Sequence, residues 1–305
     1  MDLGGDGVVI PLLLVRGGRP GKTLVVTAGV HGDEFEGVRA IMETYDELDP
    51  NDMRGDVLAV PVANPPAFWN RTRTSPLDGS NLARSFPGTE SGTPTQLIAF
   101  HLGRSIIARG DFYLDLHSAG IKLLMPSMVG FAAHDARACE AAKIFGAPVL
   151  WAHPSISPGR TISLSTSLHI PSLYTEARGA GRISPDDLKM FKRGIRNLLF
   201  HLSILEGSPE VLPIEHYLEG GGDIDASVSA SHKGFFVPSV ELLEEVRANQ
   251  YVGKTVNLYG QEVEKFISPR DGVIGMIHAL PVVQAGDSVF LITGKHKQEL
   301  RRGDI

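Results

Sequence analysis

The sequence predicts an α/β fold in which a mixed sheet is flanked by helices and is followed by a smaller all-β domain. Short runs of branched and aromatic residues alternate with helical stretches as far as Leu205. Beyond Glu206 the helical stretches cease, and glycine, proline and aspartate separate short apolar runs. We therefore expect a first domain at residues 1–205 and a β-rich domain at residues 206–305.

Segments rich in β-branched and aromatic residues are the expected strands of the first domain. They lie at residues 8–15, 23–30, 57–63, 112–116, 148–151 and 172–175. In the second domain the expected strands lie at residues 235–240, 255–258, 263–267, 272–277 and 288–292. The glycine run 220–222 predicts a flexible join between the two domains.

Two helix starts can be located from capping signals. Thr93 followed by Pro94 predicts the start of a helix that ends before Gly110. Ser184 predicts the start of a second helix that runs to Leu205, because a proline and two aspartates follow it. Proline suits the first helical turn, and acidic side chains suit the positive end of the helix dipole.

The composition argues against several classes of protein. A net charge of -6 with no basic stripe argues against nucleic-acid binding. The longest apolar runs, at 8–15 and 24–30, are far shorter than the roughly 20 residues that a membrane helix needs. The acidic start Met1–Asp2 does not resemble a signal peptide, so we expect a cytoplasmic protein. A homo-oligomer is compatible with the sequence, which does not reveal oligomeric state.

Two features resemble functional motifs but have simpler explanations. Residues 17–23 approach a phosphate-binding loop, but Arg16 replaces its first glycine and Thr23 leads into a strand, so we expect a hairpin turn. Cys139 is the one cysteine and cannot form an internal disulfide. Because its neighbours predict a packed helix, we expect a buried small side chain there rather than a nucleophile.

The spacing His-x-x-Glu is the first indication of a metal site. It occurs three times, starting at His31, His216 and His296, so the spacing alone decides nothing. His31 differs because it ends an apolar strand between two glycines, and Glu34 follows where a helix is expected to begin. The other two pairs are expected on the solvated surface. For the first pair, a helix-entry cap remains the alternative to a metal site.

A third ligand for such a site follows the predicted strand 112–116. His117 lies at the end of this strand, and the ends of neighbouring strands meet at one edge of a sheet. Two histidines and a glutamate leave the fourth position of a tetrahedral zinc ion to water, as in catalytic sites. Asp115 points to the same face as His117 and could orient its imidazole, or could simply accept a buried hydrogen bond.

Candidate groups for the chemistry lie in two other segments. Glu176 follows a predicted buried strand and suits a general base, with a salt bridge to Arg178 or Arg182 as the alternative. The irregular segment 64–88 carries arginines that suit an anionic substrate or a developing oxyanion. The alternative is a solvated basic loop. These arginines are Arg71, Arg73 and Arg84.

The chain resembles the succinylglutamate desuccinylase/aspartoacylase family over essentially its whole length. The motifs that carry this resemblance lie, in the same order, at residues 29–37, 72–79, 84–88, 115–118 and 175–176. Within the family, the chain looks similar to the ectoine-degradation deacetylases that act on N-acetyl-diaminobutyrate. The resemblance implies a zinc carboxypeptidase-like fold. It also implies that zinc is held by His31, Glu34 and His117.

The same resemblance implies roles for the remaining candidates. Glu176 is expected to activate water, Arg73 to polarise the scissile carbonyl and Arg84 to anchor the substrate carboxylate. Asn81 and Arg71 are the other candidate substrate-binding residues. Cobalt or nickel would also suit the ligand set, although zinc suits it best.

The resemblance departs from the family pattern at Ala83. Family members commonly carry an asparagine at this position, beside the arginine that binds the carboxylate. Loss of one amide partner costs on the order of 1 to 3 kcal/mol in binding a charged group. A substrate with a different or missing carboxylate is therefore plausible, and so is reduced activity.

Residues 267–275 and 281–292 resemble the barrel-sandwich hybrid fold of lipoyl and biotinyl domains. The corresponding turn near residues 259–261 carries no lysine, which predicts this fold without a carrier arm.

The sequence therefore predicts a zinc-dependent hydrolase that cleaves the amide bond of an N-acyl amino acid or a related small amide. A metallocarboxypeptidase that acts on peptides would use the same metal site. A binding protein with weakened catalysis is the third alternative, and Ala83 is its support.

Overall fold

The structure is a computed structural model that describes residues 8–295. Its described part contains six α-helices: α1 (Glu36–Asp46), α2 (Pro65–Asn70), α3 (Pro94–Ser105), α4 (Ala136–Phe145), α5 (Thr161–Ser167) and α6 (Pro185–His201). Within residues 8–295, no helix combines the length and apolar character that crossing a bilayer requires.

Strands make up most of the remaining regular structure. In the first part of the chain they are β1 (Leu13–Arg16), β2 (Arg19–Ala28), β3 (Arg54–Val60), β4 (Phe112–Ser118), β5 (Leu123–Leu124), β6 (Met128–Ala132), β7 (Val149–His153) and β8 (Ser172–Ala177). In the second part they are β9 (His216–Glu219), β10 (Val228–Ser229), β11 (Gly234–Pro238), β12 (Glu245–Val246), β13 (Tyr251–Val256), β14 (Glu262–Ile267), β15 (Gly272–His278), β16 (Val282–Val283) and β17 (Ser288–Lys295).

The main sheet is mixed, as the sequence predicts. Its strands follow the order β1-β3-β2-β4-β8-β6-β7-β9-β17-β15-β12, and β5 and β10 pair with β15 and β17 at the side of this path. Strands β3, β2, β4 and β8 run parallel to one another, whereas β6 is antiparallel to β8. Helices cover both faces of the central strands, whose side chains are almost entirely buried.

The predicted helix starts are confirmed. Thr93 precedes α3 and forms a capping box with Gln96, in which each side chain binds the other residue's backbone. The side chain of Ser184 accepts a hydrogen bond from the backbone of Asp187 at the start of α6. Helix α6 ends at His201, before the predicted end, because the backbone turns through a left-handed residue at Ser203.

The prediction of a hairpin at residues 17–23 is wrong. Strands β1 and β2 do not pair with each other, because each of them pairs with β3. The predicted strand at 8–15 is also too long, since β1 begins at Leu13. Pro11 lacks an N–H group for the ladder, which explains why the strand starts after it.

The main sheet continues beyond residue 205. Strand β9 pairs with β7 in parallel and with β17 in antiparallel fashion. His216 and Glu219 therefore lie in a half-buried strand, and the prediction that this pair is solvated surface is wrong. His296 and Glu299 lie outside the described residues. The proposed boundary between residues 205 and 206 stays a prediction.

The C-terminal part forms a second sheet with the order β14-β13-β11-β16. It packs through an apolar cluster in which aromatic side chains meet edge to face or tilted. These are Phe236, Phe266 and Phe290. Burial of such rings contributes roughly 1.5 to 3 kcal/mol per side chain, and because Phe290 belongs to β17 of the main sheet, the cluster also joins the two sheets.

The parallel strands β2, β4 and β8 position the candidate site. They are neighbours in the sheet, and their carboxyl ends meet at the same edge. His31 follows β2, His117 lies near the end of β4, and Glu176 lies near the end of β8. The fold therefore brings together residues from three distant parts of the sequence.

Candidate metal centre and cleft

His31 and Glu34 lie in the short connection between β2 and α1. Gly29 turns the chain after β2 with a left-handed backbone (φ +61°), as a residue without a Cβ readily does. At Gly32 a Cβ would lie 2.0 Å from the backbone of Ala67, so only glycine permits this close approach. Both ligand side chains are buried, and His31 Nδ1 lies 2.6 Å from Glu34 Oε1.

The Glu34 carboxylate also contacts the third predicted ligand. Its Oε2 atom lies 2.8 Å from His117 Nδ1 and accepts a hydrogen bond from the backbone N–H of Ser118 at 3.2 Å. Glu34 therefore joins the two imidazoles, whose ring centroids are 5.2 Å apart. The structure brings together all three residues that the sequence nominates as metal ligands.

The other nitrogen of His117 faces Asp115. His117 Nε2 lies 2.9 Å from Asp115 Oδ2, on the same face of β4. Thr27 and Thr161 also donate their hydroxyl hydrogens to this carboxylate. Asp115 is fully buried with all these partners, so it holds the His117 ring in one orientation.

The surroundings of the two histidines shift their pKa values in opposite directions. Burial, with Arg73 as the next contribution, lowers the pKa of His31 to about 4. Burial opposes protonation of His117 as well, but the carboxylates of Asp115 and Glu34 outweigh it and raise the pKa of His117 well above its ordinary value. Burial likewise opposes ionisation of Glu34, but the two imidazoles hold its pKa well below the ordinary value.

The three side chains fit a divalent transition-metal ion. Within the described residues, His31, Glu34 and His117 each offer a ligand atom, and these atoms all lie within 4.8 Å of one another. Two imidazole nitrogens and one carboxylate oxygen form a typical ligand set of catalytic zinc sites. His31 and His117 line the cleft, so an ion held by these three side chains would lie at its wall.

Glu176 is the neighbour of His117 in the sheet. The two residues are paired in the register of β4 and β8. The Oε2 atom of Glu176 is buried and has no hydrogen-bond partner among the described residues. Burial and the nearby Glu34 carboxylate raise the pKa of Glu176 to about 8. An unpartnered carboxylate with a raised pKa, in the wall of a cleft, is typical of a general base.

Arg73 reaches the metal-ligand group from the irregular segment after α2. Its Nη1 atom lies 3.5 Å from Glu34 Oε1, and its side chain lines the cleft. The guanidinium therefore places positive charge beside both the ligand group and Glu176. This position suits an oxyanion that forms in the cleft.

The predicted substrate-binding residues take three different positions. Arg84 lines the cleft and donates hydrogen bonds to Asp223 and Asp225. Asn81 Oδ1 lies 3.2 Å from His31 Nε2 and accepts a hydrogen bond from the backbone of Ala83. Arg71 is exposed at the end of α2, in a left-handed conformation, and is not among the described residues that line the cleft.

The structure adds cleft residues that the sequence interpretation missed. The sequence offered no motif for them, and the glycine run 220–222 suggested only a linker. Instead, this run lies against the cleft, because Gly221 and Gly222 are part of its lining. The predicted join between the domains therefore also forms part of the cleft, and its flexibility stays a prediction. The other additions are His153, Arg160, Tyr174 and Asp223.

The cleft is small and contains both polar and apolar side chains. Its volume is about 110 Å³, and its walls come from the ends of β4, β7 and β8, the segment before α5 and the segment after β9. Ala83, Ile156 and Ile162 supply apolar surface, while the histidines, arginines and Glu176 supply polar groups. Such a space suits a small polar molecule rather than a folded polypeptide.

A third buried histidine, His153, also lines the cleft. His153 Nδ1 donates a hydrogen bond to the carbonyl oxygen of Gly220 at 2.8 Å, which leaves Nε2 to accept one from the Tyr174 hydroxyl at 2.7 Å. Burial lowers the pKa of His153 to about 4, which agrees with the neutral tautomer that these bonds require.

The predicted role of Cys139 as a small buried side chain is confirmed. It lies in α4, is 2% exposed and forms no disulfide. Burial raises the pKa of its thiol, so the reactive thiolate is disfavoured.

Comparison with known proteins identifies the family of the chain. A model of the succinylglutamate desuccinylase/aspartoacylase catalytic domain matches residues 20–202. The chain is 33% identical over 295 residues to N-alpha-acetyl-L-2,4-diaminobutyric acid deacetylase of Halomonas elongata, with 93% of this chain and 85% of the relative covered.

Solved structures agree with this assignment. A succinylglutamate desuccinylase from Silicibacter sp. TM1040 has a TM-score of 0.86 at 29% identity, with 95% of this chain and 90% of that chain covered. The product-bound ectoine utilization protein EutE (DoeB) from Ruegeria pomeroyi gives the same score, identity and coverage. The chain therefore belongs to the succinylglutamate desuccinylase/aspartoacylase family.

Proposed function

We propose that this protein is a zinc-dependent hydrolase that removes the acyl group from a small N-acyl amino acid. One observation carries the proposal. The buried group of His31, Glu34 and His117 lies beside the unpartnered carboxylate of Glu176, and both border the same cleft. One route to amide hydrolysis combines a metal ion, as a Lewis acid, with a general base that takes a proton from water.

The metal would be held by His31, Glu34 and His117, with Asp115 fixing the orientation of the His117 ring. A bound zinc ion would supply a Lewis acid for the acyl carbonyl and for the attacking water. Zinc fits two imidazoles and a carboxylate best, although the same ligands would accept cobalt or nickel.

Glu176 would act as the base for the attacking water. Its carboxylate would take a proton from the water as the water oxygen bonds to the acyl carbon. It would then return that proton to the nitrogen as the C–N bond breaks. A base in this position contributes about 10² to 10⁴ in rate. The buried and unpartnered Oε2 atom supports this role.

Arg73 would stabilise the negative charge that develops on the carbonyl oxygen. One strong donor at such a position contributes roughly 3 to 4 kcal/mol to transition-state stabilisation. Its location at the edge of the ligand group, with the side chain facing the cleft, supports this assignment. Arg84, with Asn81 beside His31, remains the proposed anchor for the substrate carboxylate, whereas the exposed position of Arg71 outside the cleft does not support the predicted role of Arg71.

The relatives support the choice of substrate. One is named for deacetylation of N-alpha-acetyl-L-2,4-diaminobutyric acid, and others are named as succinylglutamate desuccinylases. Both names describe hydrolysis of an amide between an acyl group and an amino acid. We therefore propose an N-acyl amino acid as the small-molecule partner, and N-acetyl-diaminobutyrate as the first compound to test.

The proposal extends to architecture and location. The main sheet is proposed to be zinc carboxypeptidase-like, and residues 206–305 to be a domain like those of lipoyl and biotinyl carriers. The turn between β13 and β14 carries Leu258 and Tyr259 rather than a lysine, which supports a fold without a carrier arm. A cytoplasmic location and a homo-oligomeric state stay predictions.

The test combines elemental analysis with an amine-release assay. Purified protein would be loaded with zinc, measured for metal content, and assayed on N-acetyl and N-succinyl amino acids and on short peptides. We expect about one zinc ion per chain and turnover of N-acyl amino acids. Turnover of peptides alone would favour a metallocarboxypeptidase. Stoichiometric zinc with binding but no turnover would favour a non-catalytic binding protein.

A further inference from the structure

Asp223 bridges two arginines at the wall of the cleft. Its Oδ1 atom lies 3.0 Å from Arg84 Nη2, and its Oδ2 atom lies 2.9 Å from Arg160 Nη2. Both carboxylate oxygens are therefore engaged with guanidinium groups. Asp225 adds a second carboxylate to Arg84, at 3.0 Å from Nη2 and 3.1 Å from Nε.

The third nitrogen of the Arg84 guanidinium is also hydrogen-bonded. Its Nη1 atom donates a hydrogen bond to the backbone oxygen of Ala83 at 3.1 Å. The arginine that the family resemblance assigns to a substrate carboxylate thus already donates from all three nitrogens. Two carboxylates face the two guanidinium groups, so the formal charges at this end of the cleft cancel.

The segment that carries Asp223 is held against the cleft by its backbone. His153 Nδ1 and Trp151 Nε1 both donate hydrogen bonds to the carbonyl oxygen of Gly220, at 2.8 and 3.3 Å. Gly222 packs so closely that a Cβ would lie 3.0 Å from the His153 ring. Asp223 is therefore placed by a fixed wall rather than by a free loop.

The ion pairs of Asp223 are partly protected from water. Its side chain is 31% exposed, and those of Arg160 and Arg84 are 19% and 28% exposed, whereas that of Asp225 is 71% exposed. Water screens the charge of Asp225 far more, so Asp223 is the more effective of the two carboxylates beside the arginines. The side chain of Ala83, which lines the cleft, has no amide group that could bind an additional carboxylate.

We propose that Asp223 determines substrate specificity by disfavouring substrates whose amino acid carries a carboxylate in its side chain. Because both arginines are already paired with Asp223, this end of the cleft has little free positive charge for a side-chain carboxylate, so N-acyl amino acids with a neutral or cationic side chain are favoured over N-acyl aspartate and glutamate. A side-chain ammonium would face the carboxylates of Asp223 and Asp225. This inference rests on the proposed function, because it assigns this end of the cleft to the amino acid.

The test compares substrates that differ in charge but hardly in shape. N-acetyl-L-asparagine and N-acetyl-L-aspartate form one such pair, and N-acetyl-L-2,4-diaminobutyrate supplies the cationic case. For the wild type we expect kcat/KM to be at least about tenfold higher for asparagine and diaminobutyrate than for aspartate. Asp223→Asn removes the charge and should lower this preference by about tenfold. Asp223→Glu keeps the charge and should retain the wild-type order.

A binding experiment separates failure of this inference from failure of the proposed function. Isothermal titration of the zinc-loaded protein with L-aspartate, L-asparagine and L-2,4-diaminobutyrate measures the same preference without turnover. If no N-acyl compound is hydrolysed but Asp223→Asn still shifts binding toward L-aspartate, the specificity stands and the proposed reaction is wrong. If the wild type hydrolyses these compounds and Asp223→Asn leaves their order unchanged, the role of Asp223 is overturned.

Glu140→Gln is the matched charge control. Glu140 is exposed on α4 and does not line the cleft, so its substitution changes the net charge equally. We expect this variant to keep the wild-type preference in both experiments. A shift of the same size as in Asp223→Asn would mean that overall charge, rather than Asp223, sets the order of substrates.

Discussion

His117 and Glu176 are paired neighbours on two parallel strands, β4 and β8. One is a candidate metal ligand and the other is the candidate base. The register of β4 and β8 therefore determines how these two side chains lie relative to each other. A shift of one residue would point either side chain to the opposite face of the sheet. The chemistry of the cleft therefore depends on the pairing of two buried strands that the sequence separates by more than fifty residues.

Replacing Glu176 by glutamine should remove turnover but leave the metal in place. The amide keeps the shape of the side chain but cannot take a proton, and Glu176 is not one of the three clustered ligands. We expect kcat to fall by about 10² to 10⁴, with zinc content unchanged by elemental analysis. If the variant retains the wild-type kcat, Glu176 is not the base.

In the metal-free protein, the same substitution should increase the stability of the fold at high pH. The pKa of Glu176 rises from 4.5 to about 8 in the folded state, because burial and Glu34 disfavour its ionised form. The folded state thus holds this proton more tightly than the unfolded state. Its stabilising contribution is full below about pH 4 and is lost as the pH rises through about 8.

The stability of Glu176→Gln relative to the wild type should therefore be greater at pH 8.5 than at pH 5 by roughly 2 to 4 kcal/mol. Urea unfolding in the presence of a chelator at both pH values measures the difference. A gap that stays constant, or that narrows as the pH rises, would contradict the assigned shift.

Asp115→Asn should weaken metal binding without touching a ligand. Asp115 accepts from His117 Nε2 and is itself fixed by Thr27 and Thr161, so the substitution loosens the orientation of the ligand ring. Loss of such a partner costs about 10- to 100-fold in metal affinity. Competition with a chromophoric chelator gives the dissociation constant, and Glu140→Gln serves as the control. An unchanged constant would reduce Asp115 to an ordinary buried acceptor.

Ala83→Asn should strengthen binding of a substrate carboxylate. Ala83 lines the cleft beside Arg84, and its own side chain offers no donor. An added amide would supply one hydrogen bond to a charged group, worth about 1 kcal/mol or roughly fivefold in affinity. Titration with the product amino acid measures this effect, and Ala83→Ser controls for added bulk with a smaller polar group. Weaker binding in Ala83→Asn would indicate crowding instead.

Local signals in the sequence nominated the ligand group, with a helix-entry cap as the alternative for His31 and Glu34, and the family resemblance implied the complete set. The glycines around His31, the buried strand that ends in His117 and the acid after strand 172–175 all follow from residue type and period. These signals are local. A strand that is buried on both faces is apolar along its length, so a polar residue at its end is easily recognised in the sequence. The α/β class and the starts of α3 and α6 followed from the same kind of information.

Only the tertiary structure decided what else surrounds that group. Nothing in the sequence near Asp223 links it to Arg84 or Arg160, which are 139 and 63 positions away in the chain. The glycine run that resembles a linker becomes a wall of the cleft because β9 adds to the main sheet and brings it there. The sequence by itself indicated which residues can bind a metal, because the donor atoms of a side chain are fixed by its residue type. Charge balance in the cleft depends on long-range packing, and so only the fold determined it.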